Sequence, residues 1–297
     1  MSRLSRVAPW LAFPRETRHQ PVRVLVHSDT DALRSLVARD PVANVFVDSL
    51  INQHRSAVPA VPGAHMLGYF EDDGARLAAA CWVGSNVVPI EADAEQASAF
   101  ARWMAGHWQP HASIFGPAEA TLAMIATLQE AGITAQEIRA NQPLLSITGE
   151  PLVEADPALC VSGSDQFGEI LVAAAAMFEE EVGYSPFLGG EANYRRRVAW
   201  LISHGYSFSH NEPRGEVIFK ADLGAVTRHA SQVQGVWMNP RYRGHGLSAG
   251  YMAGVVKLAQ FHAPITSLYV NDYNTRARAL YERVGFEHVG TFATVLF

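Results

Sequence analysis

The stretch VWMNPRYRGHGLSAGYM, beginning at Val236, runs from a strand-like segment through a basic, glycine-rich turn into a helical pattern. Such a junction lines up backbone N–H groups at a helix N-terminus. The helix dipole and the small side chains there favour an anion, phosphate above all. The equivalent junction of the first half reads SNVVPIEADAEQ, and its Glu91, Asp93 and Glu95 would repel the same ligand. A nucleotide-binding P-loop needs GxxxxGK[ST], which does not occur. Gly244-x-Gly246-x-x-Ala249 mimics a dinucleotide fingerprint with Asp272 ending the next strand, but the 25 residues after Asp272 are too few for the remaining βαβ units. A glycine turn that merely joins strand to helix is the plain alternative.

The elements that must position this turn occur twice in one order. The first half predicts a strand over 22–26, a helix after Asp29 and Asp31, and a second helix from Asp40 with Val42, Val45, Phe46 and Leu50 on one face. MLGYF and ARLAAACWV flank the hairpin signal Asp72-Asp73-Gly74, and SNVVPI adds a strand. A helix over 93–107, a strand over 113–115, a helix opened by Pro117 and a strand over 143–147 complete it. The second half predicts a strand over 159–161, helices over 165–181 and 194–204, and a hairpin turning at 212–215. A strand over 232–238, a helix over 246–262, then SLYV, the helix NTRARALYERV and the strand TFATVLF close the chain. The two α/β copies join over 149–157.

Composition narrows the function. A chain of 297 residues with 48% hydrophobic and 18% charged residues can build two real cores and is not disordered. Its net charge of -6 argues against a nucleic-acid partner. Cys81 and Cys160 stand apart without Cys/His ligand spacing, so neither a disulfide framework nor a metal is expected. The first residues lack a signal h-region, and no apolar run of about 20 residues follows. The reading is a cytoplasmic protein without a membrane partner.

VWMNPRYRGHGLS followed by LYVNDYNTRARALYERVGF resembles the paired signatures of the GNAT superfamily of N-acetyltransferases. The family's RxxGx[GA] loop is matched at Arg243, Gly246 and Ser248, the serine being a departure. Its later pattern is matched at Asn274, Tyr281, Gly285 and Phe286. MFEEEVGYSP, QGVW and GTFATVLF are similar to actinobacterial members that carry an N-terminal domain of unknown function. The resemblance implies a mixed-sheet α/β fold made of tandem GNAT-like domains. Residues 1–20 would be a flexible arm, 21–150 a degenerate copy shaping the acceptor groove, and 158–297 the complete acyl-CoA N-acyltransferase fold.

It also implies roles. Acetyl-CoA, a cosubstrate, would enter between two strands splayed apart, its thioester facing the N–H groups of Val236, Trp237 and Met238. Arg243, Gly244, His245, Gly246, Leu247, Ser248 and Ala249 would hold its pyrophosphate, with Asn271 and Asn274 touching it as well. Tyr281 would protonate the departing thiolate. The strand glutamate that some relatives use as base is replaced by Tyr269. Among Glu179, Glu180 and Glu181, Glu180 is taken as the base, with Glu216 in reserve. Tyr281 can instead be a core tyrosine, Asn274 an N-cap and the glutamates a solvated helix end. The expected activity is N-acetylation of a primary amine, on a small molecule or on a protein N-terminus or lysine, by a monomer or homodimer. An acyl-CoA sensor without turnover is the competing reading.

Overall fold

The computed structural model describes residues 21–297 except 189 and 214, and only the backbone of Asp73, so the expected arm lies outside the described residues. The first half runs β1 (Val22–Val24), α1 (Thr30–Val37), α2 (Val45–His54), β2 (His65–Glu71), β3 (Arg76–Val83), β4 (Asn86–Ile90), α3 (Ala94–Gly106), β5 (Ser113–Pro117), α4 (Ala118–Glu130) and β6 (Glu137–Thr148). The second runs β7 (Cys160–Val161), α5 (Phe167–Val182), α6 (Glu191–Ser203), β8 (Ser207–Asn211), β9 (Val217–Val226), β10 (Ala230–Met238), α7 (Ser248–Ala259), β11 (Ile265–Tyr269), α8 (Thr275–Val284) and β12 (Glu287–Leu296).

Element boundaries follow the local chemistry. Asp93 accepts from the Gln96 N–H at 2.8 Å while Gln96 returns a bond to the Asp93 N–H, a capping box that starts α3. Asp40 binds the Val42 and Ala43 N–H groups in a turn, so α2 begins later than expected, at Val45. Pro117 is the last residue of β5 and the N-cap of α4, one position before the place expected for it.

The repeat of element order becomes one twelve-stranded mixed sheet, ordered β1-β2-β3-β4-β5-β12-β6-β11-β10-β9-β8-β7. The two last strands trade places. β6, from the first half, lies antiparallel between β11 and β12, while β12, from the second, lies between β5 and β6. Each half therefore completes its sheet with the other's final strand. Pro143 sits inside β6 without weakening the ladder. Its carbonyl accepts from Val270 at 3.2 Å, so its missing N–H is on the β11 side, at the point where that strand ends.

Helices cover both faces. In the second half α7 and α8 pack on Phe219, Ala221, Leu223, Leu268 and Val270. α5 and α6 pack on the opposite face, against Val217 and Trp237. Among the described residues no helix is long and apolar enough to cross a membrane.

Candidate functional site

β10 and β11 are paired and parallel only at their starts, from Ala230↔Ile265 to Gln232↔Ser267. Beyond that β10 runs on to Met238 and β11 to Tyr269 with no ladder between them. The parting is reinforced by a bulge. Gln234 stands opposite Asp222 and Trp237 opposite Lys220, so two residues, Gly235 and Val236, face Ala221 alone. Gly235 has φ +59°, and a Cβ there would lie 3.2 Å from Met177 and 3.3 Å from the Lys220 ammonium, so any other residue would be both strained and crowded. The Asn239 N–H donates to Ile218 on β9 at 2.9 Å, which turns the N–H and carbonyl of Met238 the other way, toward the gap. Arg243 Nε takes that carbonyl at 2.8 Å, leaving the Met238 N–H for a ligand.

The loop after β10 has the anticipated form. Gly244 and Gly246 adopt φ +81° and +77° with open space where a Cβ would point. The first bond of α7 runs from the Tyr251 N–H to Leu247, and among the described residues no group accepts from the N–H groups of 244 to 250. Consecutive N–H groups left open at a helix N-terminus are the arrangement that favours an anion. His245 is exposed beside them. Counted from Arg241, the spacing R-x-x-G-x-G reaches both left-handed glycines, and the departure at Ser248 disappears. Arg241 was missed because Arg243 satisfies the same spacing less well. In the structure Arg241 pairs with Glu216 at 3.2 Å, and Glu216 also accepts from Asn239 at 3.1 Å, so the reserve carboxylate braces the loop.

Glu180, expected as the base, is likewise committed to the loop. Its Oε1 accepts from Trp237 Nε1 at 3.1 Å and its Oε2 pairs with Arg243 at 2.7 Å. The carboxylates that line the adjoining cavity, of about 330 Å³, are its neighbour Glu181 and Asp222. This cavity lies between α5, α6 and the face of β10. Phe178, Tyr194 and Tyr269 also line it.

Tyr281 is buried on α8, its ring edge-on to Phe286. Burial, and then the charge of Glu181, push its hydroxyl up to about 12. Tyr269, which occupies the position of the missing strand glutamate, is raised to about 12 by the same two causes. Asn274 is an N-cap, accepting from the Ala277 N–H at 3.1 Å. Asn271 accepts from Gln142 at 2.8 Å, and Gln142 accepts from Thr294 at 2.6 Å, so it ties the end of β11 to β6 and β12.

The first half has the same parting in closed form. β4 and β5 pair only at Asn86↔Ser113 and Val87↔Ile114, after which Pro89 packs on Gly116. Its junction leads through Glu91, which holds Asn44, to the capped start of α3, with no glycine loop.

Residues 174–286 match the family described as Acetyltransferase (GNAT) family, and residues 64–170 match a Domain of unknown function (DUF4081). None of the proteins with curated descriptions matches the sequence. Among solved structures the chain is similar to a GCN5-related N-acetyltransferase from Sphaerobacter thermophilus, at 14% identity and TM-score 0.61, covering 92% of this chain and 94% of that one. A GCN5-related N-acetyltransferase from Kribbella flavida aligns at 21% identity and TM-score 0.51, covering 88% and 95%. A tandem GNAT protein from the clavulanic acid biosynthesis pathway aligns at 13% identity and TM-score 0.54, covering 92% and 97%. The chain thus carries a GNAT acetyltransferase domain behind a domain of unknown function, on the GNAT fold.

Proposed function

We propose that the protein is an acetyl-CoA-dependent N-acetyltransferase that acts on a primary amine through a ternary complex. The observation that carries this reading is the parting of β10 from β11 beside a loop of seven unclaimed N–H groups. Pyrophosphate would rest on the loop, and the pantetheine arm would thread the gap toward the Met238 N–H. The cavity on the α5–α6 face would receive the acceptor from the other side.

The reaction follows from these placements. The neutral amine nitrogen bonds to the thioester carbon, and the carbonyl oxygen takes the electron pair, which the Met238 N–H stabilises. Collapse of this intermediate breaks the C–S bond, and the leaving thiolate takes the Tyr281 proton. The proton shed by the amine passes to Glu181 and from there to solvent, which reprotonates Tyr281, leaving an amide and free CoA. A hydroxyl held near 12 keeps its proton throughout the working range, so it is always ready to donate. The first half would act as scaffold. It places Phe115 against Tyr269 and Arg139 beside Glu181.

The test is thiol release from acetyl-CoA across a panel of primary amines, with the N-acetyl product identified by mass. Turnover that Tyr281→Phe lowers by about 10²-fold or more, with acetyl-CoA affinity kept, supports the enzyme. Acetyl-CoA binding without turnover on any amine would make the protein an acyl-CoA sensor instead.

A further inference from the structure

Under the bulge of β10 lies an ion pair shut inside the protein. Lys220 is 0% and Asp222 6% exposed, with Nζ and Oδ2 2.7 Å apart. The Lys220 ammonium also donates to the Gly235 carbonyl at 3.2 Å, tying the pair to the bulge. Burying two charges costs several kcal/mol per ion unless both are fully engaged. The engagement here is incomplete. Among the described residues no N–H or O–H donates to Asp222 Oδ1, and Asp222 is part of the cavity lining. A carboxylate oxygen without a protein donor, on a side chain only 8% exposed that lines a cavity, is a receptor for a donor that arrives with a ligand.

Resting on the acyl-transfer reading, we infer that Asp222 anchors the acceptor: its Oδ1 accepts an N–H from a small primary amine whose apolar body lies against Phe178, Tyr194 and Tyr269. The bulge puts this anchor next to the stretch of β10 that would face the thioester. The surrounding charges select the protonation state. Lys220 is bonded to the carboxylate, and Arg197 lines the same cavity, bonded to the Gly224 carbonyl at 3.0 Å. Asp222 thus has one cation bonded to it and a second in the same lining, while Glu181 has Arg139. Neither carboxylate has a charge left over for an ammonium, so the site favours the neutral amine, the form that attacks. Glu181, the other carboxylate of the lining, has Arg139 at 3.6 Å and stays available for the shed proton. Shared with Lys220, Asp222 orients the amine and does not itself take that proton.

The test uses benzylamine as acceptor, with acetyl-CoA affinity measured separately by calorimetry. Asp222→Asn is compared with the double variant Lys220→Met/Asp222→Leu, which removes both charges and so leaves no orphaned ammonium. Both variants are expected to raise the KM for benzylamine by roughly 10- to 100-fold, with acetyl-CoA affinity unchanged. An unchanged KM in the double variant overturns the anchor while leaving acetyl transfer intact. If the wild type does not turn benzylamine over, its binding is read by saturation-transfer NMR. Binding seen in the wild type and lost in the double variant supports the anchor, whereas no binding, or equal binding in both, overturns it. Absence of acetyl-CoA binding to the wild type is a separate result and counts against the acyl-transfer reading alone.

Discussion

Glu181 on α5 and Tyr281 on α8 lie on opposite faces of the sheet, yet after burial the Glu181 charge is what raises the Tyr281 hydroxyl. The gap between β10 and β11 opens one face to the other at this point. That relationship sets the proposed acid and the proposed proton acceptor on either side of one opening. The variants Tyr281→Phe, Glu181→Gln and Glu180→Gln can therefore be read against one another.

Glu180 and Glu181 should respond differently. Glu180→Gln breaks a half-exposed pair with Arg243, costing about 1 kcal/mol or less, and alters acetyl-CoA affinity a few-fold. Glu181→Gln leaves that affinity alone and lowers kcat by about 10²-fold. Steady-state kinetics beside calorimetry checks both. A larger kcat loss in Glu180→Gln would return the base to that residue.

Alkaline pH should weaken the fold. Tyr194, Tyr269 and Tyr281 are each raised from 10.0 to about 12, in every case by burial first. Between these values the native protein keeps protons that the unfolded chain has lost. Stability is therefore fully present below about pH 10 and falls as pH rises toward 12. Urea midpoints at pH 8 and pH 11 measure the drop, which Tyr281→Phe should reduce.

Two glycines with positive φ should behave unequally. Gly235→Ala meets Met177, Lys220 and Asp222 within 3.2 to 3.4 Å as well as backbone strain, and should cost about 2–3 kcal/mol. Gly244→Ala meets open space and should cost about 1 kcal/mol from strain alone. Denaturant titration of the pair separates contact from strain.

The two cysteines should differ in reactivity. Cys81 is buried on β3, where burial pushes its thiol up, while Cys160 is exposed. A thiol reagent should label Cys160 alone in the native protein and both after denaturation.

Much of the site was legible because its signals are local. The glycine turn, the Asn274 cap and the strand to Met238 each depend on neighbours in sequence. The exchange of β6 and β12 was not legible, because both halves leave the same vacancy and nothing in either strand says which one it fills. Lys220 and Asp222 alternate with Phe219, Ala221 and Leu223 along β9, the pattern of a half-solvated strand, and only the covering of that face by α5 and α6 buries them. Which of Glu180 and Glu181 lines the cavity turns on about 100° of helix rotation, finer than helix boundaries can be read from sequence.

The most direct test of the account is acetyl-CoA binding by calorimetry, for the wild type and for Gly246→Glu. The substitution puts a carboxylate and a strained φ among the N–H groups proposed to hold the pyrophosphate. One-to-one binding is expected in the wild type, and none in a variant of unchanged circular dichroism. Absence of binding in the wild type, or equal binding in both proteins, would contradict it.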